Sequence, residues 1–461
     1  MDIDSLLSQI FSEKEKKQYL NLPKQKPITS IRINNLKVSK EDGLSLLKEE
    51  GFECEEFKFI KNAFIVNHSP FLIGKSFSYF LGNIYIQDLS SMIPPEILNP
   101  NENDYVLDMC AAPGSKTTQI SDLMKNRGLI IANDVSSSRA RFLSFNLLRM
   151  GSVNSIVTII KGNRLGRLYF EKFDKILIDA PCSALGIIRD HPEVLKWWKF
   201  KHSKRYANTQ FDLLVSGIKA LKEGGIIVYS TCTIVPEENE GVIKRVLEKY
   251  PVNVEYIDIK GFKVKRGIDL PEAIRINPHE NISEGFFIAL LRKIDKMKKP
   301  QDELKVTLKK LRLYHKNHKE VKNYIQFLIE HFGIEENFFE NFLYEKTKEL
   351  RIISESSEKF EFYNYTHRGI PIIKLDGNNF SLTTWGALFL GKFATENIYQ
   401  LEEKEELKDF FKKKELPLKD TTTGMKIVKY KKYPVGYGIA DKLKFKPRPK
   451  LRKELIWPFV Q

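Results

Sequence analysis

A doubly wound α/β domain, preceded by a small α+β unit and followed by a β-rich module, is the fold class this sequence predicts. Two observations carry it. From Tyr105 onward, apolar strand-like runs alternate with small-residue turns and helical stretches, the pattern of a parallel sheet covered on both faces. From Phe360 the chain becomes β-rich with turn signals, as in LDGNN and TTTGMKIVKYKKYPVGYG. At 461 residues the chain is too long for one core, so two or three domains are expected.

Taken in order, residues 1–25 read as one polar-faced helix closed by Pro23 and Pro27. Between residues 31 and 66, the alternating runs SIRINNLKVS and FKFIKNAFIV surround a helical LSLLKEEG, which suggests a small α+β unit. YVLDMC then reads as a first buried strand, with AAPGSKTTQISDLM turning into its helix. LIIAND is the second strand and SSSRARFLSFNLLRM its helix; IVTII is the third and KILIDAPC the fourth. FDLLVSGIKAL leads to IIVYSTC, the fifth. Right-handed crossovers make such a sheet doubly wound, with ligands at the carboxyl ends of its strands. Residues 293–312, charged and interrupted by Pro300, read as a linker, with helical signals continuing to Leu350. The expected division is 1–95, 96–293, 294–359 and 360–461, without internal repeats.

Composition narrows the function class. Hydrophobic residues make up 42% and charged residues 29%, an ordinary soluble balance. No apolar run approaches the roughly 18 residues of a membrane span, and MDIDSLLSQIFSEKEKK does not read as a signal peptide. A cytoplasmic protein with no membrane partner is expected. Cys54, Cys110, Cys182 and Cys232 show neither CxxC nor Cys/His metal spacing, so they are expected as thiols, with no metal site. A net charge of +16 and pI near 9.3 suit a polyanionic partner, most simply nucleic acid; a Lys-rich solvated surface is the bland alternative.

The chemistry gathers at the strand ends. Ala111, Ala112 and Gly114 let the backbone after the first strand pass close to a ligand, although GSKTT lacks the upstream glycine of a P-loop. Asp134, ending the second strand, suits two ribose hydroxyls or, equally, a helix cap for SSSRARF. Cys182 follows the fourth strand and Cys232 the fifth, so neighbouring strands open both thiols onto one crevice. A thiolate beside the Asp179 carboxyl suits attack on C6 of a pyrimidine while an acid engages N3, leaving C5 able to take a methyl group.

The ordered stretches IYIQDLSSM, VLDMCAAPGSKTTQI, LIDAPCSALGIIRDHPEV, YSTCTIVPEENE and RINPHENISEGFFIAL resemble the Nop/Sun family of RNA cytosine-C5 methyltransferases. The resemblance covers residues 30–293. It implies a Rossmann-like methyltransferase domain using S-adenosyl-L-methionine, with Cys232 as nucleophile and Cys182 promoting product release. It also implies a cofactor loop of Cys110, Ala111, Ala112, Pro113, Gly114, Ser115 and Lys116, with Lys116 counted among the catalytic group. Asp134 is implied as the ribose acid, and Asp179 as the contact to both cofactor and target base. Three departures stand out. Ser115 replaces a glycine, Ala184 stands where glycine is commoner, and Lys161-Gly162-Asn163-Arg164 replaces the acid expected after the third strand, leaving Asn163 as an uncharged acceptor. The chain's ends resemble, more loosely, the family's N-terminal RNA-binding unit and the PUA-like C-terminal domain of its ribosomal-RNA members. Tyr430, Tyr433, Tyr437 and Phe445 interleave with lysines there, which suits stacking and phosphate contacts or a small β core. The implied partner is ribosomal or transfer RNA and the implied state a monomer. An RNA-binding assembly factor of weak catalytic power is the rival reading.

Overall fold

The computed structural model describes residues 2–299 and 306–451. Its first segment is two helices, Ile3–Ile10 and Glu13–Leu20, rather than one. Ser12 takes an extended conformation between them and caps the second in a capping box with Glu15. These helices do not join the α+β unit. Leu6, Leu7, Phe11, Tyr19 and Leu22 pack with Leu185, Ile188, Val194, Trp198, Ile234 and Val235, and the Tyr19 hydroxyl donates to the Leu185 carbonyl. The first segment therefore covers the loops that carry Cys182 and Cys232. The α+β unit follows as a four-stranded antiparallel sheet of Ser30–Ile33, Glu53–Glu56, Ala63–His68 and Ile84–Ile86 with helix Lys40–Glu49.

The central sheet is built from β1 (Tyr105–Asp108), β2 (Leu129–Asn133), β3 (Ser155–Thr158), β4 (Phe173–Asp179) and β5 (Leu221–Thr231). All pair in parallel, β3-β2-β1-β4-β5 across the sheet. Strand order reverses at β1, which has β2 on one side and β4 on the other, so the crevice opens at the carboxyl end of β1. Helices α1 (Ser115–Leu123), α2 (Ser137–Met150), α3 (Gly162–Leu168), α4 (Phe200–Ala220) and α5 (Glu240–Leu247) follow β1 to β5. Beyond β5 the sheet continues antiparallel through β9 (Phe286–Lys293), which pairs with β6 (Val252–Glu255) and β8 (Leu270–Ile276); β7 (Val264–Gly267) closes that edge.

The expected boundary between 294–359 and 360–461 does not separate two bodies. β10 (Tyr365–Arg368) pairs with β3 on the far edge of the central sheet, and Leu311, Ile353, Phe360 and Phe362 enter the central core. A five-stranded sheet takes Leu313–Tyr314, Phe342–Lys346 and Glu349–Ser354 from one side of the expected boundary, and Ile370–Asp376 and Asn379–Leu382 from the other. The helical signals through residue 350 yield one α-helix among the described residues, Lys322–Phe332. The charge density of the hairpin LYEKTKELRII reads as a helical surface, yet Tyr344, Leu350 and Ile352 go into the core, Glu345 is buried against Arg368, and only Thr347 and Lys348 at the turn are exposed. The last sheet, Ile398–Leu401, Gly424–Tyr430, Tyr433–Ala440 and Phe445–Pro447, shares its core with Leu46, Phe77, Phe80 and Leu81 of the N-terminal unit.

That packing changes the meaning of the basic tail. Lys431 pairs with Glu49 at 2.7 Å, Lys446 with Asp441 at 2.7 Å and Lys444 with Glu415 at 2.5 Å, while Lys432 pairs with Asp42. Lys429 donates to the Ala394 carbonyl. Lys442, Arg448 and Lys450 remain exposed; Arg452 and Lys453 lie outside the described residues. Tyr437 and Phe445 are buried, and Tyr430 and Tyr433 stand edge-on to Phe77, so all four rings serve the core.

Candidate active site

The turn from β1 into α1 is set by Gly114, whose φ of 111° is left-handed and whose added Cβ would meet Leu143 at 3.0 Å. Ser115 begins α1 with helical backbone, so its departure from glycine is harmless. Ala184, by contrast, holds a φ of 61°, which explains why glycine suits that position.

Asp134 is 2% exposed. Its Oδ1 accepts from the Ser136 amide at 2.9 Å and its Oδ2 lies 3.4 Å from Arg139. The helix cap of α2 is Ser136, whose hydroxyl accepts from Arg139 N. Asp134 is thus not the cap and faces the crevice.

That crevice is a cavity of about 520 Å³ lined by Cys110, Ala112, Asp134, Asn163, Asp179, Cys182 and Cys232, all expected site residues. Ala111, Pro113, Gly114 and Ser115 shape the turn without lining it. Ala111 is buried against Ala132, Ala140 and Leu143, and the Pro113 carbonyl accepts from Asn146. Lys116 stands behind Asp179. Its Nζ donates to Asp179 Oδ2 at 2.7 Å and to Ser91 Oγ at 2.8 Å, 5.1 Å over the Phe286 ring. Ser230 Oγ donates to the other Asp179 oxygen at 2.8 Å. Both carboxylate oxygens are therefore fixed.

The two sulfur atoms are 3.3 Å apart. Their turns are tied by the hydroxyls of Ser183 and Thr233 at 2.9 Å. The PEENE stretch completes the frame. Buried Glu238 accepts from the Ser183 amide and from Gln210, which also holds the Pro181 carbonyl. Asn239 bonds to Thr231 and Thr233, and Glu240 grips Arg275. Gly186 passes so near Gly285 and Cys232 that a Cβ would sit 2.4 Å and 2.7 Å from their carbonyl oxygens. The hydrogen bond to Cys232, followed by burial, pushes the Cys182 thiol well up, so Cys182 stays protonated and can donate to its neighbour. Burial also pushes the Cys110 thiol up and raises Asp108 to about 7.

Several members had no role in the sequence reading. Ser91, Ser230 and Glu238 lie inside the quoted motifs, where a hydroxyl or second acid carries no visible assignment. Thr209, Asp212 and Leu213 also line the cavity. They come from α4, and only its register against α3, fixed by Leu213 packing on Gly162 and by Ser216 Oγ donating to the Gly162 carbonyl, brings them there.

Known proteins resemble the segment that carries this cavity. The family described as 16S rRNA methyltransferase RsmB/F matches residues 95–292. The chain is 40% identical over 284 residues to ribosomal RNA small subunit methyltransferase F of Vibrio atlanticus, covering 60% of each. Thus it spans about three-fifths of that relative's length. It is 39% identical over 274 residues to the tRNA (cytosine(49)-C(5))-methyltransferase of Pyrococcus abyssi, covering 57% of this chain and 88% of the relative. Among solved structures, a methyltransferase homolog from Pyrococcus horikoshii matches with TM-score 0.55 and 35% identity over 63% of this chain and 98% of the other. NSun6 from the same organism, solved with SFG, matches with TM-score 0.59 and 26% identity over 64% and 98%. The family match at residues 95–292 spans both cysteine turns, and the alignment to the archaeal relative covers 88% of that protein, so the chain belongs to the RsmB/F (Nop/Sun) methyltransferase family.

Proposed function

We propose that the protein is an RNA cytosine-C5 methyltransferase that uses S-adenosyl-L-methionine to make 5-methylcytosine in ribosomal or transfer RNA. The observation that carries this reading is the 3.3 Å Cys182–Cys232 pair opening on the cavity that also holds Asp134 and Asp179. A volume of about 520 Å³ suits a nucleoside-sized ligand. Asp134 would accept the ribose hydroxyls, and Asn163 with Asp212 would offer acceptors to an exocyclic amino group. Bound there, the cofactor supplies the methyl group. Cys232 loses its proton as it adds to C6 of the cytosine, while Asp179, held by Lys116 and Ser230, passes a proton to N3, so that the adduct stays neutral and C5 becomes nucleophilic. After a base removes the C5 proton, the C6–S bond breaks, and the neutral Cys182 thiol can give its hydrogen bond to the departing sulfur. No membrane-crossing helix is present among the described residues, and the free thiols fit the reducing conditions of the cytoplasm.

Cys182→Ala tests the reading directly. Elimination slows, so a covalent protein–RNA adduct through Cys232 accumulates as a retarded band on a denaturing gel, and the double cysteine mutant shows none. Activity lost without any adduct would remove Cys182 from the release step.

Asp134→Ala removes two charge-assisted hydrogen bonds of roughly 1.5–3 kcal/mol each, so affinity for S-adenosylmethionine falls at least about a hundredfold. Because Ser136 still caps α2, the variant keeps a cooperative thermal transition, with a melting temperature lowered by the lost acceptor of the Ser136 amide. Asp212→Asn and Asn163→Ala give smaller losses. An unchanged dissociation constant in Asp134→Ala by calorimetry would refute the ribose assignment, and wild-type protein with no measurable cofactor affinity would favour the assembly-factor reading.

A further inference from the structure

The lysines expected to meet RNA at the C-terminus are mostly paired with carboxylates, yet another basic surface is not. Lys196, Lys199, Lys201, Lys204 and Arg205 are all exposed, and among the described residues none has an ion-pair partner. Glu193, the acid nearest in sequence, is hydrogen-bonded by His191 and also feels the charge of Lys196, while Lys201 and Arg205 pair with no acid among the described residues. Trp197 stands among them, 46% exposed, at the end of the short helix Val194–Trp197.

Helical spacing aims this surface at the crevice. Lys201, Arg205, Thr209 and Asp212 follow one another on α4 at intervals of four, four and three, so they share one face. Thr209 and Asp212 line the cavity. Lys201 and Arg205 extend that face outward by about 12 Å of helix. Stability of α4 does not explain the pattern. Its first turn contains no acid and its cap position is Lys199, without a side-chain cap bond, so the cations oppose the helix's own dipole.

We infer that this face of α4, with Trp197 beside it, is the track on which the single-stranded RNA flanking the target base lies. Phosphates pair with Lys201 and Arg205, and a base next to the target stacks on Trp197. The inference rests on the RNA reading above and adds a location for the substrate strand. Trp197 gives a sequence-tolerant platform, because every base has a π face. The cations are the salt-sensitive component.

The test uses the full chain and a mixed-sequence, cytosine-containing RNA oligonucleotide. The double substitution Lys201→Gln with Arg205→Gln is measured for RNA affinity across a salt series, and Trp197→Ala at one salt concentration. The double variant is expected to flatten the log–log salt slope by roughly 1.4, the share of two phosphate contacts on a single strand. Trp197→Ala is expected to weaken binding about tenfold, within the range for one lost stacking contact. Affinity for S-adenosylmethionine stays at the wild-type value, since none of these residues lines the cavity. Variants that melt like wild type and bind RNA with its affinity and slope would overturn the track, whether or not the protein methylates. If the variants lose binding as expected but wild type transfers no methyl group to any RNA, the track stands and the methyltransferase reading falls. Wild type that binds no RNA overturns both.

Discussion

Cys232→Ala abolishes methyl transfer. Turnover falls by at least about a thousandfold, the order expected when a covalent nucleophile is removed, while cofactor and RNA affinities remain close to wild type. The neighbouring sulfur offers no rescue despite lying 3.3 Å away. Its thiol is held up by the hydrogen bond to Cys232 and then by burial, and its turn is fixed by Ser183, Glu238 and Thr233. It is positioned to donate a proton and not to attack. Methyl incorporation into RNA measures the effect, and turnover within tenfold of wild type would reassign the nucleophile.

Deleting residues 360–461 destroys the fold rather than merely trimming RNA affinity. The cut removes β10 from the edge of the central sheet and takes Phe360 and Phe362 out of its core. It also strips Ile370–Asp376 from the five-stranded sheet and uncovers Leu46, Phe77, Phe80 and Leu81. Each buried phenylalanine is worth about 3–5 kcal/mol, against a whole-domain stability of roughly 5–15 kcal/mol. The truncated chain should lack a cooperative thermal transition and collect in the insoluble fraction. A soluble, monodisperse truncation with wild-type cofactor affinity would restore the boundary at residue 360.

What the sequence made legible follows from where information is local. The five parallel strands and their turns could be read because each apolar run ends in the residues that do the chemistry, as in LIIAND and YSTCT. The pairing of Cys182 with Cys232 needed only that β4 and β5 be neighbours, and Asp179 does stand opposite Ser230. Long-range partners were not legible. Nothing in SLLSQIF says that it will cover the cysteine loops. Nothing in VKYKKYP says that Lys431 and Lys432 will meet Glu49 and Asp42. Asp212 sits on a helix whose polar face looks like any solvated one until α3 fixes its rotation.

The shared core of the first and last sheets has a consequence for the chain as it leaves the ribosome. Leu46, Phe77, Phe80 and Leu81 are covered by Leu401, Phe410, Val428 and Phe445, which are synthesised nearly at the end. At roughly 5–20 residues per second, the apolar face of the N-terminal unit waits on the order of half a minute for its cover. During that interval the nascent chain carries an open greasy surface beside a half-finished sheet, the stage at which such chains aggregate most readily.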